Sequence, residues 1–233
     1  YVLAAGLENL TMTGSAATGN LTGNAAVNTL TGNSGANILD GKAGGDSMTG
    51  GDGDDLYIVD NIGDSVVELD TGISLGGLDK VKTTLATYTL GTGVEDLAYG
   101  GPGSFTGTGN ALANTIAGSG GADILFGQDG NDILLGASGN DVLNGGAGSD
   151  KLTGGTGNDV FMFNKGQEAG DIISDFAGNG SAAGDTILFV GWSAGSTLTQ
   201  VAGTLWQVTD GFDLSVSNIS ISSAVHATDV IFG

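Results

Sequence analysis

Residues 109–162 read in nines: GNALANTIA, GSGGADILF, GQDGNDILL, GASGNDVLN, GGAGSDKLT and GGTGNDVFM. Position 1 is glycine in every copy, while the last five copies carry glycine at position 4 and aspartate at position 6. Position 8 is always apolar: Ile116, Leu125, Leu134, Leu143, Leu152 and Phe161. Periodicity of this kind argues for a solenoid, in which short units bury their apolar residues by stacking on one another.

Each nonapeptide divides into a six-residue turn and a three-residue strand. Glycines let the turn take φ > 0 and draw its carbonyls together without Cβ clashes. In the strand one side chain points inward and its neighbours point out. Two nonapeptides make one coil of a flattened, right-handed solenoid, so repeats i and i+2 stack about 4.8 Å apart, as parallel strands do. Position-6 aspartates of successive coils then form a row, and bare carboxylates at that spacing repel by about 1 kcal/mol per pair in water. Calcium resolves the repulsion by geometry. Its oxygen ligands lie at about 2.3–2.6 Å, so oxygens on opposite sides of one ion are about 4.6–5.2 Å apart, which spans the coil spacing. Magnesium, at about 2.0–2.1 Å, would pull the coils too close.

A second block lies between Gly23 and Ile58: GNAAVNTLT, GNSGANILD, GKAGGDSMT and GGDGDDLYI. Position 6 is Asn28, Asn37, Asp46 and Asp55. Asparagine offers a carbonyl without charge, so this ladder is expected to hold calcium more weakly. The blocks belong to an internal duplication of about 87 residues: YVLAAGLENL from Tyr1 returns as YTLGTGVEDL from Tyr88, and TGNAAVNTLT from Thr22 as TGNALANTIA from Thr108. Asn28 and Asn114 sit in the first copies of the two blocks, which read as worn end repeats. Beyond the first block, SVVEL and DKVKTTLATYTL read as strands. Asp60, Asp64, Glu68 and Asp79 nearby form either a solvated acidic surface or the ligands of one further ion.

Charge limits the partners. There are 26 acidic residues against five lysines and no arginine, for a net charge of −21. Such a chain lacks the basic face that nucleic acid requires, and meets anionic membranes only through bridging calcium. Without cysteine it has no disulfides, and metal binding is a sufficient substitute source of folding free energy. No apolar run is long enough to span a bilayer. YVLAAGLENL has neither an initiator methionine nor the features of a secretory signal, so the chain reads as a fragment of something longer.

From Phe163 the nonapeptide stops. GDIISDF and GDTILFV read as strands, followed by a meander of STLTQV, TLWQVT and FDLSVS with turns at Ala202-Gly203 and Asp210-Gly211. This stretch is expected to cover the open end of the solenoid. Trp192 and Trp206 are either its small core or a platform for stacking sugars.

These repeats resemble the RTX (repeat-in-toxin) family, secreted calcium-binding proteins of Gram-negative bacteria; the D-x-I-x-D-F element at Asp171 to Phe176 matches more loosely. The resemblance implies an all-β fold: a right-handed parallel β-roll in two tandem blocks, 1–87 and 88–162, with a C-terminal β cap at 163–233. It implies ions between turns i and i+2, held by position-6 side chains and by carbonyls at turn positions such as 1, 2 and 4. The implied pairs are Asp123 with Asp141, Asp132 with Asp150, Asp141 with Asp159, Asn114 with Asp132, Asn28 with Asp46, and Asn37 with Asp55. Implied carbonyl donors are Gly35, Gly41 and Gly50 in the first block. In the second they are Ser119, Gly121, Gly127, Gln128, Gly130, Gly136, Ala137, Gly139, Gly145, Gly146, Gly148 and Gly154. Asp171 and Asp175 join the set.

The resemblance further implies export through a type I channel guided by an uncleaved C-terminal end such as ATDVIFG, and so an extracellular or cell-surface location. The expected cofactor is calcium, about six to eight ions. Eight would move the formal charge from −21 to about −5. The leading expectation is a non-catalytic module that is disordered without calcium and folds on extracellular calcium, driving secretion and capping a passenger. A calcium-dependent adhesin or matrix/polysaccharide-binding module, with extracellular polysaccharide or a second copy of itself as partner, is the alternative. The third reading is the C-terminal part of a secreted enzyme. No catalytic set is present here: His226 is the only histidine, which excludes an HExxH zinc motif, and G-x-S-x-G does not occur.

Overall fold

An inward residue at every ninth position produces strands of three to six residues, each too short to be stable unless paired. The computed structural model describes residues 1–14, 18–68, 77–178, 184–213 and 215–233, in two compact units, Tyr1–Gly101 and Pro102–Gly233. Leu69 and Leu214, inside two of the predicted strands, lie outside the described residues.

The first unit contains β1 (Asn9–Thr11), β2 (Gly19–Thr22), β3 (Thr29–Thr31), β4 (Asn37–Asp40), β5 (Ser47–Thr49), β6 (Leu56–Val59), β7 (Ser65–Val67), β8 (Lys80–Thr83), β9 (Thr87–Thr89) and β10 (Asp96–Tyr99). Each paired strand skips its sequence neighbour. β1, β3, β5 and β7 form one parallel sheet, and β2, β4, β6, β8 and β10 another. In register, Leu21 faces Leu39, Leu39 faces Tyr57, and Leu30 faces Met48. All five are fully buried.

The second unit contains β11 (Thr106–Thr108), β12 (Thr115–Ala117), β13 (Ile124–Asp129), β14 (Ile133–Ser138), β15 (Val142–Ala147), β16 (Lys151–Thr156), β17 (Val160–Asn164), β18 (Ile172–Ile173), β19 (Thr186–Val190), β20 (Thr197–Ala202), β21 (Leu205–Thr209), β22 (Val216–Ile221) and β23 (Val230–Phe232). β11, β13, β15, β17, β19 and β23 pair in parallel on one side. β12, β14, β16, β18 and β22 do so on the other. Position-8 residues stack eighteen residues apart, Ile116 on Leu134 on Leu152 and Leu125 on Leu143 on Phe161, all fully buried. Burying each such side chain stabilises the fold by about 1.5–3 kcal/mol. The architecture is a parallel β-solenoid of two strands per coil, as expected.

β20, β21 and β22 form the antiparallel meander, while β22 and β23 also extend the two parallel sheets. Trp192 packs edge-on against Phe189, which stacks on Phe163 and Phe232. Trp192 is 5% and Trp206 8% exposed, so both belong to a core and neither offers an open face to a sugar. The only helix among the described residues is the 3-10 turn Ala227–Asp229, and none is long and apolar enough to cross a membrane.

Candidate metal centres

The position-6 side chains stand in columns, as their spacing requires. One carboxylate oxygen of each position-6 aspartate accepts a hydrogen bond from the backbone N–H of the residue one coil earlier. In the second unit the N–H groups of Phe105, Asp123, Asp141 and Asp159 donate to Asp123, Asp141, Asp159 and Asp185 at 2.7–2.9 Å. Those of Asn114, Asp132 and Asp150 donate to Asp132, Asp150 and Asp171 at 2.7–2.8 Å. In the first unit Asn28 donates to Asp46, which donates to Asp64, while Asn37 donates to Asp55, Asp55 to Asp79, and Asp79 to Glu95. Asp185 and Glu95 were not among the expected ligands, and Asp64 was weighed only as a ligand of one further ion. A signal for them exists: each is an acid two residues before an inward strand residue (Ile187, Val66, Leu97), which is the position 6 to position 8 relation without the glycine turn.

The turns fall into two classes. Four are closed: Gly23–Asn28, Gly32–Asn37, Gly109–Asn114 and Gly118–Asp123. In these the position-2 N–H of Asn24, Asn33, Asn110 or Ser119 donates to the position-6 side-chain oxygen at 2.7–2.8 Å. In the three asparagine turns the position-6 amide nitrogen also points back to the position-2 side-chain oxygen, at 3.2–3.4 Å. No residue between positions 1 and 6 of a closed turn has positive φ.

The other six are open: Gly41–Asp46, Gly50–Asp55, Gly127–Asp132, Gly136–Asp141, Gly145–Asp150 and Gly154–Asp159. In every one, positions 2 and 4 both have positive φ, including the non-glycine residues Lys42, Gln128 and Ala137. The position-4 glycines lie so close to carbonyls of the preceding coil that a Cβ would collide: Gly139 on Gly121, Gly148 on Gly130, Gly157 on Gly139. Opening the turn turns its position-2 N–H away from the aspartate. The second oxygen, Oδ2, of Asp46, Asp55, Asp132, Asp141, Asp150 and Asp159 is consequently buried with no hydrogen-bond partner. At Gly127 and Gly136 the space a Cβ would fill is shared by this oxygen of the same turn and the position-1 carbonyl of the next coil, from Gly145 and Gly154.

The expected ligands therefore separate. Asn28, Asn37, Asn114, Asp123, Gly35, Ser119 and Gly121 lie in closed turns, whose position-6 oxygens are engaged. Asp46, Asp55, Asp132, Asp141, Asp150, Asp159, Gly41, Gly50, Gly127, Gln128, Gly130, Gly136, Ala137, Gly139, Gly145, Gly146, Gly148 and Gly154 lie in open turns. Asp171 continues one column, whereas Asp175 accepts the N–H groups of Gly154 and Gly155 at 3.0 and 2.7 Å. Beside Asp171, Glu168 is fully buried, with Oε2 accepting from Gln167 N and Oε1 unpartnered.

Burial, reinforced by neighbouring carboxylates and opposed by the backbone hydrogen bonds, pushes these acids upward: Asp55, Asp79 and Asp132 to about 7, Asp141 to about 6, Asp171 to about 8. Leaving a buried acceptor unsatisfied costs about 1–3 kcal/mol, so six together rival the net stability of a whole domain, about 5–15 kcal/mol. Hard, anionic oxygens beside turn carbonyls suit calcium, and the open turns fit that ion.

The family described as RTX calcium-binding nonapeptide repeat (4 copies) matches residues 22–57, 108–143 and 135–167. A search of curated proteins finds no match. Among solved structures, the solution structure of the AlgE6R3 subunit from the Azotobacter vinelandii mannuronan C5-epimerase is 27% identical; the match covers 55% of this chain and 77% of that one, with a TM-score of 0.28. Two blocks of this chain are thus RTX calcium-binding nonapeptide repeats, set on a parallel β-solenoid.

Proposed function

We propose that this chain is a calcium-folded module of a secreted bacterial protein, ordered by ions held at its open turns. The observation that carries the reading is the complete coincidence, across ten nonapeptides, of positive φ at positions 2 and 4 with an unpartnered buried Oδ2 at position 6. Bound calcium supplies two positive charges and a hard acceptor for oxygen lone pairs. The aspartates Asp46, Asp55, Asp132, Asp141, Asp150 and Asp159, with carbonyls of their turns, would hold it. The closed turns satisfy their own polar groups and need no ion of their own.

Without calcium, repulsion among buried carboxylates and the entropy of glycine-rich turns oppose folding. Where calcium is abundant, binding free energy becomes folding free energy. A chain that stays unfolded inside the cell and folds outside would leave through a type I channel and be unable to return, while its β-rich C-terminal region covers the solenoid end. On this reading the module acts outside the cell, as a non-catalytic support for a passenger. Circular dichroism in EGTA and in millimolar calcium tests the reading. We expect β-sheet signal only with calcium, and an equal signal in both conditions would overturn it.

A further inference from the structure

The geometry points to a calcium centre formed by Asp55, Glu68 and Asp79, in which Glu68 is a ligand recruited from outside any nonapeptide. It rests on the calcium reading above through Asp55 alone. One ligand atom from each of the three lies within 4.8 Å of the others. Asp55 is 2%, Asp79 1% and Glu68 9% exposed, so this is not the solvated acidic surface that the stretch 60–79 also suggested. By contrast Asp60 is exposed, and Asp64 takes hydrogen bonds from Asp60 and Asn61 in its own loop.

The second, independent observation is Asp55 itself. Its Oδ1 accepts from Asn37 N at 2.6 Å, and its Oδ2 is buried without a partner. That free oxygen and the Tyr57 hydroxyl converge on the space that a Cβ would fill at Gly50. The Tyr57 hydroxyl in turn donates to Glu68. The free oxygen of Asp55 is therefore aimed toward the side where Glu68 is held.

Tyr57 explains how Glu68 arrives. The other nine position-8 residues carry no hydroxyl. Tyr57 is fully buried, accepts from Gly50 N at 2.7 Å and presents its proton to Glu68. It is a positioning residue, not a ligand. Two lysines of this unit are engaged elsewhere: Lys80, next in sequence to Asp79, pairs with Asp96 at 3.7 Å, and Lys42 with Asp40 at 2.7 Å. Three carboxylates offer only hard oxygens, and the separation matches what an ion with ligands at about 2.3–2.6 Å can bridge.

Calcium uptake by the whole chain, measured by calorimetry, and terbium emission excited through tyrosine test the assignment. Glu68→Gln keeps an acceptor for Tyr57 but removes the charge. We expect it to bind one ion fewer at calcium concentrations that fill the remaining sites, and to lose most of the tyrosine-sensitised terbium emission. Wild-type stoichiometry and emission in this variant would overturn the centre while leaving the calcium reading intact; no uptake by the wild-type chain would overturn both. Tyr57→Phe provides a second arm should Glu68→Gln fold poorly. It keeps all three carboxylates, so it should still bind terbium yet lose the emission, and undiminished emission would overturn the assignment.

Discussion

The closed and open turns are the same nine-residue unit in two states, and residue type at position 6 does not separate them. Asp123 carries the aspartate of the motif and is closed, like Asn28, Asn37 and Asn114. What separates them is position in the array. Every open turn has another nonapeptide turn eighteen residues before it, and no closed turn does. A turn opens where the preceding coil supplies carbonyls beneath its left-handed residues, as Gly121 does beneath Gly139. Where no nonapeptide turn lies eighteen residues earlier, the turn folds on itself and satisfies its position-6 side chain internally. A calcium-competent turn is therefore a property of two stacked repeats, not of one.

The comparison can be broken most decisively by removing calcium. Chelation should abolish most β structure, since every open turn loses its counter-charge together; retained protection of the open-turn amides from hydrogen exchange would contradict it. A smaller effect separates the two classes directly. Asp141→Asn should weaken calcium binding about tenfold, roughly 1.4 kcal/mol, whereas Asp123→Asn only reproduces what the three other closed turns already use. Equal calcium midpoints for the two variants would dissolve the distinction.

Next comes the backbone. Gly139→Ala forces a Cβ onto φ +128 and against the Gly121 carbonyl, while Gly120→Ala, in a closed turn, meets open space. The first should cost at least about 1 kcal/mol more than the second in thermal unfolding with calcium present. The mildest test is pH. Asp55, Asp79 and Asp132 are raised to about 7 in the folded chain, against about 4 unfolded, so between those values the calcium-free folded state binds more protons. Its stability should fall as pH rises from about 4 to about 7, and calcium affinity should rise over the same window as protons are displaced. A calcium midpoint independent of pH from 5 to 8 would remove open-turn burial as the cause.

Much of this was legible in the residues. The nine-residue period requires pairing of repeats i and i+2, and the register Leu125 to Leu143 follows. Position-8 burial and the aspartate columns follow too, because both are fixed by coil spacing. The columns run further than the motif: Asp185, Asp64 and Glu95 cap coils that lack the glycine turn, so a search for the nonapeptide passes over them. At Asp123, which reads as a calcium ligand, the two carboxylate oxygens accept the N–H groups of Phe105 and Ser119, a local arrangement the motif does not announce.

By itself, then, the sequence determines a two-strand coil, an apolar core at every ninth position and a row of acids whose repulsion demands a hard divalent cation. These are consequences of period and charge, which need no knowledge of distant contacts. Tertiary structure alone decided which acids keep a free oxygen, and that Tyr57 holds Glu68 beside Asp55 and Asp79. The physical reason is that a hydrogen bond from the residue four positions earlier and stacking on a nonapeptide turn of the preceding coil compete for the same turn. Only stacking decides that competition.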